Sequence, residues 1–427
     1  MEKKHVKWMK MGVIAALLVS MLAACGTSAD KGGQAAEGTG KDNNENKEIT
    51  VLYLDEPFWK QQNEEFTAAT GIKVKYETVP FMQLHDKVFV SFMANSSEYD
   101  VVHVRDDWAT EFASKGFLEP LDSYITDDMK TRLNPQTMEA MSYQGKQYAI
   151  PRYVWLWQFY YNKTLIKDPP KTWDELITVA KEIKDDKVSP YAETWGGIVS
   201  YSSFIVHLRS NGGEFWDYEN NRPTFNSPEG VAALQFMADM NLKHNIMSPL
   251  SKEFTSSGAM TEVLTQGAIA MNMNTPQTLP MANDEDKSKV VGQMDVALIP
   301  GGKLKTASYG ETGGLAIPAA SKNKEWAMEY IKFVTNADQQ KKMSLANGKI
   351  PSDVEVVKDA DLLAKYPHYA LLPEQMQYPF GLFRHEDATK ITDELSRNIL
   401  AAVLGKVTPE QALQDAETKI LAMIGQK

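Results

Sequence analysis

The chain has 427 residues, with 45 Lys and Arg against 56 Asp and Glu, a formal charge of −11, and a single cysteine. The negative balance argues against nucleic acid and anionic lipid as partners, since both are bound through basic patches, and one cysteine excludes an internal disulfide. A chain of this length exceeds what one hydrophobic core usually supports, so two domains or lobes are expected.

Lys3, Lys4, Lys7 and Lys10 precede an uncharged stretch from Met11 to Ala24, the charged and apolar regions of a secretory signal. A membrane span needs about 20 apolar residues, whereas this run is shorter and ends on small residues. Residues 1–24 are therefore predicted to be a cleaved signal peptide. Its end, LAAC (Leu22–Cys25), resembles the bacterial lipobox, which implies that Cys25 is diacylglycerated and becomes the first residue. Each buried methylene adds roughly 0.8 kcal/mol of membrane affinity, and two acyl chains anchor stably. The expected location is the cell membrane, lipid-anchored on the extracytoplasmic face. Residues 25–47 are rich in Gly, Asn, Lys, Glu and Ala without apolar periodicity, and cannot bury enough surface to offset ordering entropy. They are predicted to form a flexible linker that holds the body roughly 25 Å from the lipid. Removing residues 1–24, with four Lys and one Glu, takes the formal charge from −11 to −14.

Ile49–Leu54 (ITVLYL) is predicted to be a strand. A helix follows from Pro57 to Gly71 with Phe58, Gln62, Phe66 and Ala69 on one face, Asp55 or Glu56 as its cap and Gly71 as its stop. Val74–Val79 alternates as a half-buried strand, and DVVHV (Asp100–Val104) reads as a buried one. Thr172 and Glu175 make a capping box, and Ser227 with Pro228 opens another helix. Strands are expected at Gln158–Tyr161, Ile269–Met273, Val296–Ile299 and Leu315–Ile317, and helices at Lys324–Val334 and from Thr408 with Pro409 in the first turn. Such alternation defines an α/β architecture.

Signatures of chemistry are missing. Seven histidines, at 5, 85, 103, 207, 244, 368 and 385, show no metal-ligand spacing. No nucleophile elbow, phosphate loop or dinucleotide fingerprint is present. The acidic run at 284–286 sits in NDEDKSK and reads as a solvated loop. No catalytic residue, metal or cofactor is predicted.

Seven segments, in order, carry a resemblance: YDVVHVRDDW (Tyr99–Trp108), GKQYAIPRYVWLWQFYYNK (Gly145–Lys163), PPKTWDEL (Pro169–Leu176), GGEFWDYENNRPTFNSPEGVAALQFM (Gly212–Met237), GAIAMNMN (Gly267–Asn274), GGLAIPAASKNKEWAMEYIKFV (Gly313–Val334) and GKIPS (Gly348–Ser352). Together they resemble the extracellular solute-binding proteins of ATP-driven sugar importers, the group that includes maltose-binding protein. The resemblance implies an α/β fold of two Rossmann-like lobes with a hinge, the type II periplasmic-binding-protein arrangement. Lobe 1 would comprise 48–152 and 312–350, and lobe 2 would comprise 153–311 and 351–427. Crossings would lie near Pro151–Trp155, Glu311–Gly314 and Lys349–Ser352. The implied function is non-enzymatic: a monomeric receptor captures a sugar or sugar-like solute in the inter-lobe cleft and delivers it to membrane permease subunits, closing about the hinge.

A sugar presents hydroxyls, which need paired donors and acceptors, and C–H faces, which pack on aromatic rings. In α/β sheets ligands lie at the carboxyl ends of strands. Asp55, Glu56 and Phe58 follow the first strand, and Arg105, Asp106, Asp107 and Trp108 follow DVVHV. By resemblance, Asp107 and Trp108 fall where relatives keep polar ligand contacts. Tyr153, Trp155 and Trp157 alternate along an extended segment, so that they share one side, and Trp155 matches a ligand-contacting position of a relative. Trp157 reads more as core. Trp195 and the Ser200–Ser202 stretch with Tyr201 resemble a ligand-contacting loop, whereas Trp216 reads as hairpin packing. Asn274 and Gln277 follow a buried strand and offer amides. Tyr309 and Glu311 lie in a loop whose glycines permit close approach, and Arg384 follows Phe383 in a late loop that covers the cleft in some relatives. Leu315 stands where sugar-binding relatives often carry Trp, and Gln277 replaces an aromatic platform of maltose-binding protein; both count against maltodextrin. Two alternatives stay open: a receptor whose acids at 55, 56, 106, 107 and 311 hold a cationic or metal-bound solute, and an anchored glycan-cleaving enzyme.

Overall fold

The computed structural model describes residues 47–426 apart from 57, 198 and 199. The signal peptide, Cys25 and all of the linker but Lys47 lie outside the described residues. Among the described residues, fourteen strands follow in chain order: β1 (Glu48–Leu54), β2 (Lys73–Val79), β3 (Val101–Arg105), the hairpin β4 (Ser142–Tyr143) and β5 (Lys146–Gln147), β6 (Ala149–Leu156), β7 (Gln158–Asn162), β8 (Ser189–Ala192), the hairpin β9 (Trp216–Asp217) and β10 (Arg222–Pro223), β11 (Ile269–Asn274), β12 (Met294–Ala297), β13 (Gly310–Ala316) and β14 (Ile350–Pro351). Two sheets organise the lobes, one of six strands in the order β14-β6-β13-β3-β1-β2 and one of four in the order β12-β7-β11-β8.

The first helix illustrates how local chemistry sets these elements. It spans Trp59–Thr70 and ends on Gly71, whose φ of 75° is the left-handed conformation that glycine adopts without strain. Its buried face is Trp59, Gln62, Asn63 and Phe66, and Ala69 is exposed, because the face is set by packing on β1 and on Tyr330 (ring centroids of Phe66 and Tyr330 are 5.0 Å apart). Neither Asp55 nor Glu56 caps this helix. Phe58 occupies the cap position without a side-chain hydrogen bond, the Asp55 amide donates to Val79 O at 3.0 Å, and the Glu56 carboxylate is taken by Lys349. At Thr172 half of the capping box forms: its hydroxyl accepts from Glu175 N at 3.1 Å, while the Glu175 carboxylate accepts from Lys171 N at 2.7 Å. Ser227 and Thr408 cap the helices Pro228–Leu242 and Pro409–Met423, each with proline in the first turn.

The segment 310–314, read above as a loop, is strand. Five residues with three glycines carry no strand signal, but β13 pairs with β6 from Gly310↔Leu156 to Ala316↔Ala149, with an irregularity between Gly313 and Gly314. Gly313 is required there: a Cβ would lie 2.1 Å from the Tyr153 ring. The pairing continues past the sheet, because Trp157 N donates to Tyr309 O at 2.8 Å and Ser308 Oγ donates to Trp157 O at 2.9 Å. On the other edge of β6, Ile350 pairs with Val154 and Pro351 with Tyr153. The three segments near 151–155, 311–314 and 349–352 thus run side by side, joining one sheet to the other.

Separate cores support the two lobes. Ile49, Val51, Tyr53, Phe66, Val101, Leu315 and Ile331 pack on one face of the six-stranded sheet and Leu52, Val88, Val102 and Phe112 on the other. A larger cluster holds Phe159, Trp173, Leu176, Phe204, Leu234, Met271, Leu395 and Leu413.

Candidate ligand site

A cavity of about 660 Å³ opens where the two sheets meet. The six-stranded sheet brings Asp55 and Glu56 from the end of β1, Arg105 from the end of β3, Tyr153 and Trp155 from β6, Gly310 and Glu311 from β13, and Asn347 and Lys349 from the approach to β14. The opposite wall consists of Trp157, Thr194, Tyr201, Ser202, Ser257, Thr275, Gln277 and Tyr309, and Leu382 reaches in from the C-terminal segment.

The first wall is charged, and most of its charges are internally paired. Glu56 forms an ion pair with Lys349 and accepts from Asn347 Nδ2 at 3.4 Å. The Lys349 ammonium lies 3.6 Å from the centroid of the Tyr153 ring, a cation–π contact. Burial pushes Lys349 below its ordinary value, with Glu56 acting against the shift. Arg105 bridges two acids: Nε donates to Asp107 Oδ1 at 2.8 Å and Nη1 to Glu311 Oε2 at 3.0 Å. Burial opposes its charge, but Asp107 and Glu311 more than offset this and hold Arg105 well above its usual range. Burial raises Glu311, with Arg105 pulling the other way. The site is therefore a set of pre-oriented donors and acceptors, the arrangement that recognises a hydroxyl as donor and acceptor at once.

The second wall is neutral. Tyr201 and Tyr309 share a hydrogen bond of 2.6 Å, and burial raises both phenols. The Trp157 and Tyr309 rings meet edge to face at 5.1 Å. Thr194 is 1% exposed, and its hydroxyl has no hydrogen-bond partner. An unpaired buried polar group is costly; here it belongs to a residue that lines the cavity.

Ten of the residues singled out from sequence line this cavity: Asp55, Glu56, Arg105, Tyr153, Trp155, Tyr201, Ser202, Gln277, Tyr309 and Glu311. Seven do not. Phe58 packs with Tyr153 and Met343 in a small buried cluster. Asp106 is fully buried and accepts from Leu382 N at 3.3 Å, and Asp107 holds Arg105. Trp108 is in the first-lobe core, with the Arg105 guanidinium 5.2 Å from its ring. Trp195 is in the second-lobe core, where its indole N–H and the Tyr191 hydroxyl each donate to Glu193 at 2.8 Å. Asn274 spends its amide on Ser257 O and Thr261 Oγ1, at 3.2 and 2.8 Å. Arg384 donates to Glu139 O at 2.6 Å and lines a second cavity, of about 560 Å³. Lys349 and Asn347 join the site with no sequence signal beyond the GKIPS crossing; Trp157, read as core, belongs to the second-lobe core and also lines the cavity; Thr194, Ser257 and Thr275 are isolated hydroxyls with no distinguishing pattern.

Two α/β lobes joined by adjacent antiparallel connections, with a polar, aromatic-lined cavity at their junction, define a two-lobed solute receptor. The chain belongs to the bacterial extracellular solute-binding protein family, which it matches over residues 51–341. It is 28% identical over 257 residues to a maltotriose-binding protein of Pyrococcus abyssi, a match that covers 60% of this chain and 55% of that one. A binding protein of Brucella abortus (strain 2308) is 28% identical over 386 residues, 86% of this chain and 90% of its own. Among solved structures, maltose-bound T. maritima MalE3 superposes with a TM-score of 0.72 at 26% identity, covering 88% of this chain and 99% of that chain. The architecture is the type II periplasmic-binding-protein fold.

Proposed function

We propose that this protein is the extracellular receptor of an ATP-driven importer, that it captures a neutral sugar or sugar-like solute in the cavity between its lobes, and that it hands the solute to the permease. The observation that carries this reading is the composition of the cavity wall: aromatic side chains at Trp155, Trp157 and Tyr309 beside the ion-paired Glu56, Glu311, Arg105 and Lys349. Aromatic faces take C–H surfaces and paired charges take hydroxyls. The maltotriose-binding relative and the maltose-bound neighbour support the ligand class. The lobes divide as 48–152 with 312–350 and 153–311 with 351–427, the receptor works as a monomer, and Cys25 tethers it to the membrane through residues 25–47.

A cationic or metal-bound solute is less well served. Lys349 and Arg105 already partner Glu56 and Glu311, and among the described residues there is no group of three or more His, Cys, Asp or Glu that could hold a metal ion. Thermal-shift and calorimetric screens over mono-, di- and oligosaccharides, sugar alcohols, uronic acids, polyamines and metal ions test the proposal. Stabilisation by neutral saccharides or polyols is expected; stabilisation by none of them sinks it. New reducing ends after incubation with the best-binding saccharide would show an enzyme instead. Cys25→Ser is expected to release the protein from membranes while leaving its affinity intact, as read by fractionation and calorimetry.

A further inference from the structure

The second cavity is lined by Thr110 and Ser114, by residues of the β4–β5 hairpin, by Tyr218 beyond β9, and by Arg384 and His385. Two chain segments run from one cavity to the other. Arg105 lines the first cavity and Thr110, just over one helical turn later, lines the second. Leu382 lines the first and Arg384 the second. Between these points the segments are joined: Asp106, 0% exposed, accepts the Leu382 amide at 3.3 Å.

The C-terminal segment is held from both sides. Toward the first lobe, Gln136 Nε2 donates to Met376 O and Tyr378 O at 2.9 and 3.2 Å, and Arg384 Nη1 donates to Glu139 O at 2.6 Å. Toward the second, Ser308 N donates to Pro379 O and Arg209 Nη1 to Gly381 O, both at 3.0 Å, and the Phe383 ring packs against Phe215 and Trp216 at 4.9 Å. A backbone tied at this many points does not swing aside for a ligand.

We infer that the Asp106–Leu382 contact is a partition that sets ligand length: it confines the solute to the first cavity and keeps a longer chain from running on into the second. This rests on the saccharide reading above and narrows it to short ligands. The first cavity, at about 660 Å³, is within the roughly 300 to 1,000 Å³ that encloses a whole small ligand. Without the partition the two spaces would form one groove with further rings, Tyr143 and Tyr218, along it.

The test is calorimetry on the mature protein with gluco-, xylo- and manno-oligosaccharides of one to six units. In the best-binding series, affinity is expected to fall at least tenfold beyond a short cut-off length. In Asp106→Ala/Leu382→Gly, binding of the first chain above the cut-off is expected to strengthen at least tenfold, while Asp106→Asn, which keeps one acceptor and the side-chain volume, retains the cut-off. Leu382→Gly alone, expected to give a smaller shift in the same direction, serves if the double variant does not fold. A wild type that binds six units as tightly as its shortest ligand overturns the partition alone, as does a folded variant with an unchanged length profile. Failure of every one of these saccharides to bind overturns the partition, and the receptor reading falls with it only when the wider screen of saccharides and polyols fails as well.

Discussion

The two walls of the central cavity are built from different chemistry. Every Asp, Glu, Lys or Arg that lines it, namely Asp55, Glu56, Arg105, Glu311 and Lys349, lies on a strand of the six-stranded sheet or beside its end, whereas the second wall offers hydroxyls, one amide, aromatic rings and Leu382. All of these charges but Asp55 are fixed by one another, through Lys349–Glu56 and the Asp107–Arg105–Glu311 bridge. Hydroxyls such as Ser257 and Thr275 rotate at small cost. One wall is thus organised before a ligand arrives, and the other adapts to it. Preorganised charged hydrogen bonds contribute more than neutral ones, so the difference between the walls is also a difference in expected binding energy.

Substitutions sharpen or break that contrast. Lys349→Ala leaves the half-buried Glu56 without its cation; breaking such a pair costs about 3 to 5 kcal/mol, so a clear drop in melting temperature and at least a hundredfold loss of affinity are expected by thermal denaturation and calorimetry. Trp155→Ala removes a ring from the same wall without disturbing a charge. A loss of at least tenfold in affinity, about 1.4 kcal/mol, is expected with little change in the unliganded melting temperature; a large melting loss at constant affinity would assign Trp155 to the core. On the second wall, Ser257→Ala removes one neutral hydrogen bond, about 1 kcal/mol, so roughly a fivefold loss is expected. If Ser257→Ala weakens binding as much as Lys349→Ala, the two walls are energetically alike and the contrast fails.

The smallest expected effect is on stability alone and concerns Asp106. Burial, with Asp107 beside it, raises its carboxyl to about 7; Glu311 acts in the same direction, and Arg105 and Arg384 act against it. An unfolded aspartate titrates near 4. Between roughly pH 4 and 7 the folded state therefore binds more protons than the unfolded one, and this group's contribution to stability declines as pH rises through that window. Asp106→Asn removes the decline, so its melting temperature relative to wild type is expected to increase by a few degrees from pH 4 to 8. A constant difference across that range contradicts the buried, protonated state.

What was readable in the sequence differs between elements and site for physical reasons. Strands β1, β3, β7 and β11 and the helix Lys324–Val334 carry continuous apolar runs or a helical period, and those signals are local. β13 opens with Gly310, Glu311, Thr312, Gly313 and Gly314, which have no strand propensity and are held by pairing with β6, a contact made across about 155 residues of chain. Trp195 illustrates the converse: a tryptophan beside two glycines looks like a stacking platform, and only the buried Glu193, bound also by His207 at 2.7 Å, shows that its indole N–H is already taken. Lys349 was out of reach because a lysine becomes a site residue here only through Glu56, nearly 300 positions earlier.

The side-by-side run of β13, β6 and β14 has a mechanical consequence. Tyr153, Trp155, Glu311 and Lys349 all project from or beside this ribbon, and a ribbon of paired strands yields more readily to twist than to stretch. Points near such an axis travel little when the lobes turn, while points on the outer edges travel far. In the proposed receptor, a solute seated against the ribbon would therefore work on the short arm of a lever, and contacts made over a few ångströms would be read out as a large displacement at the rims.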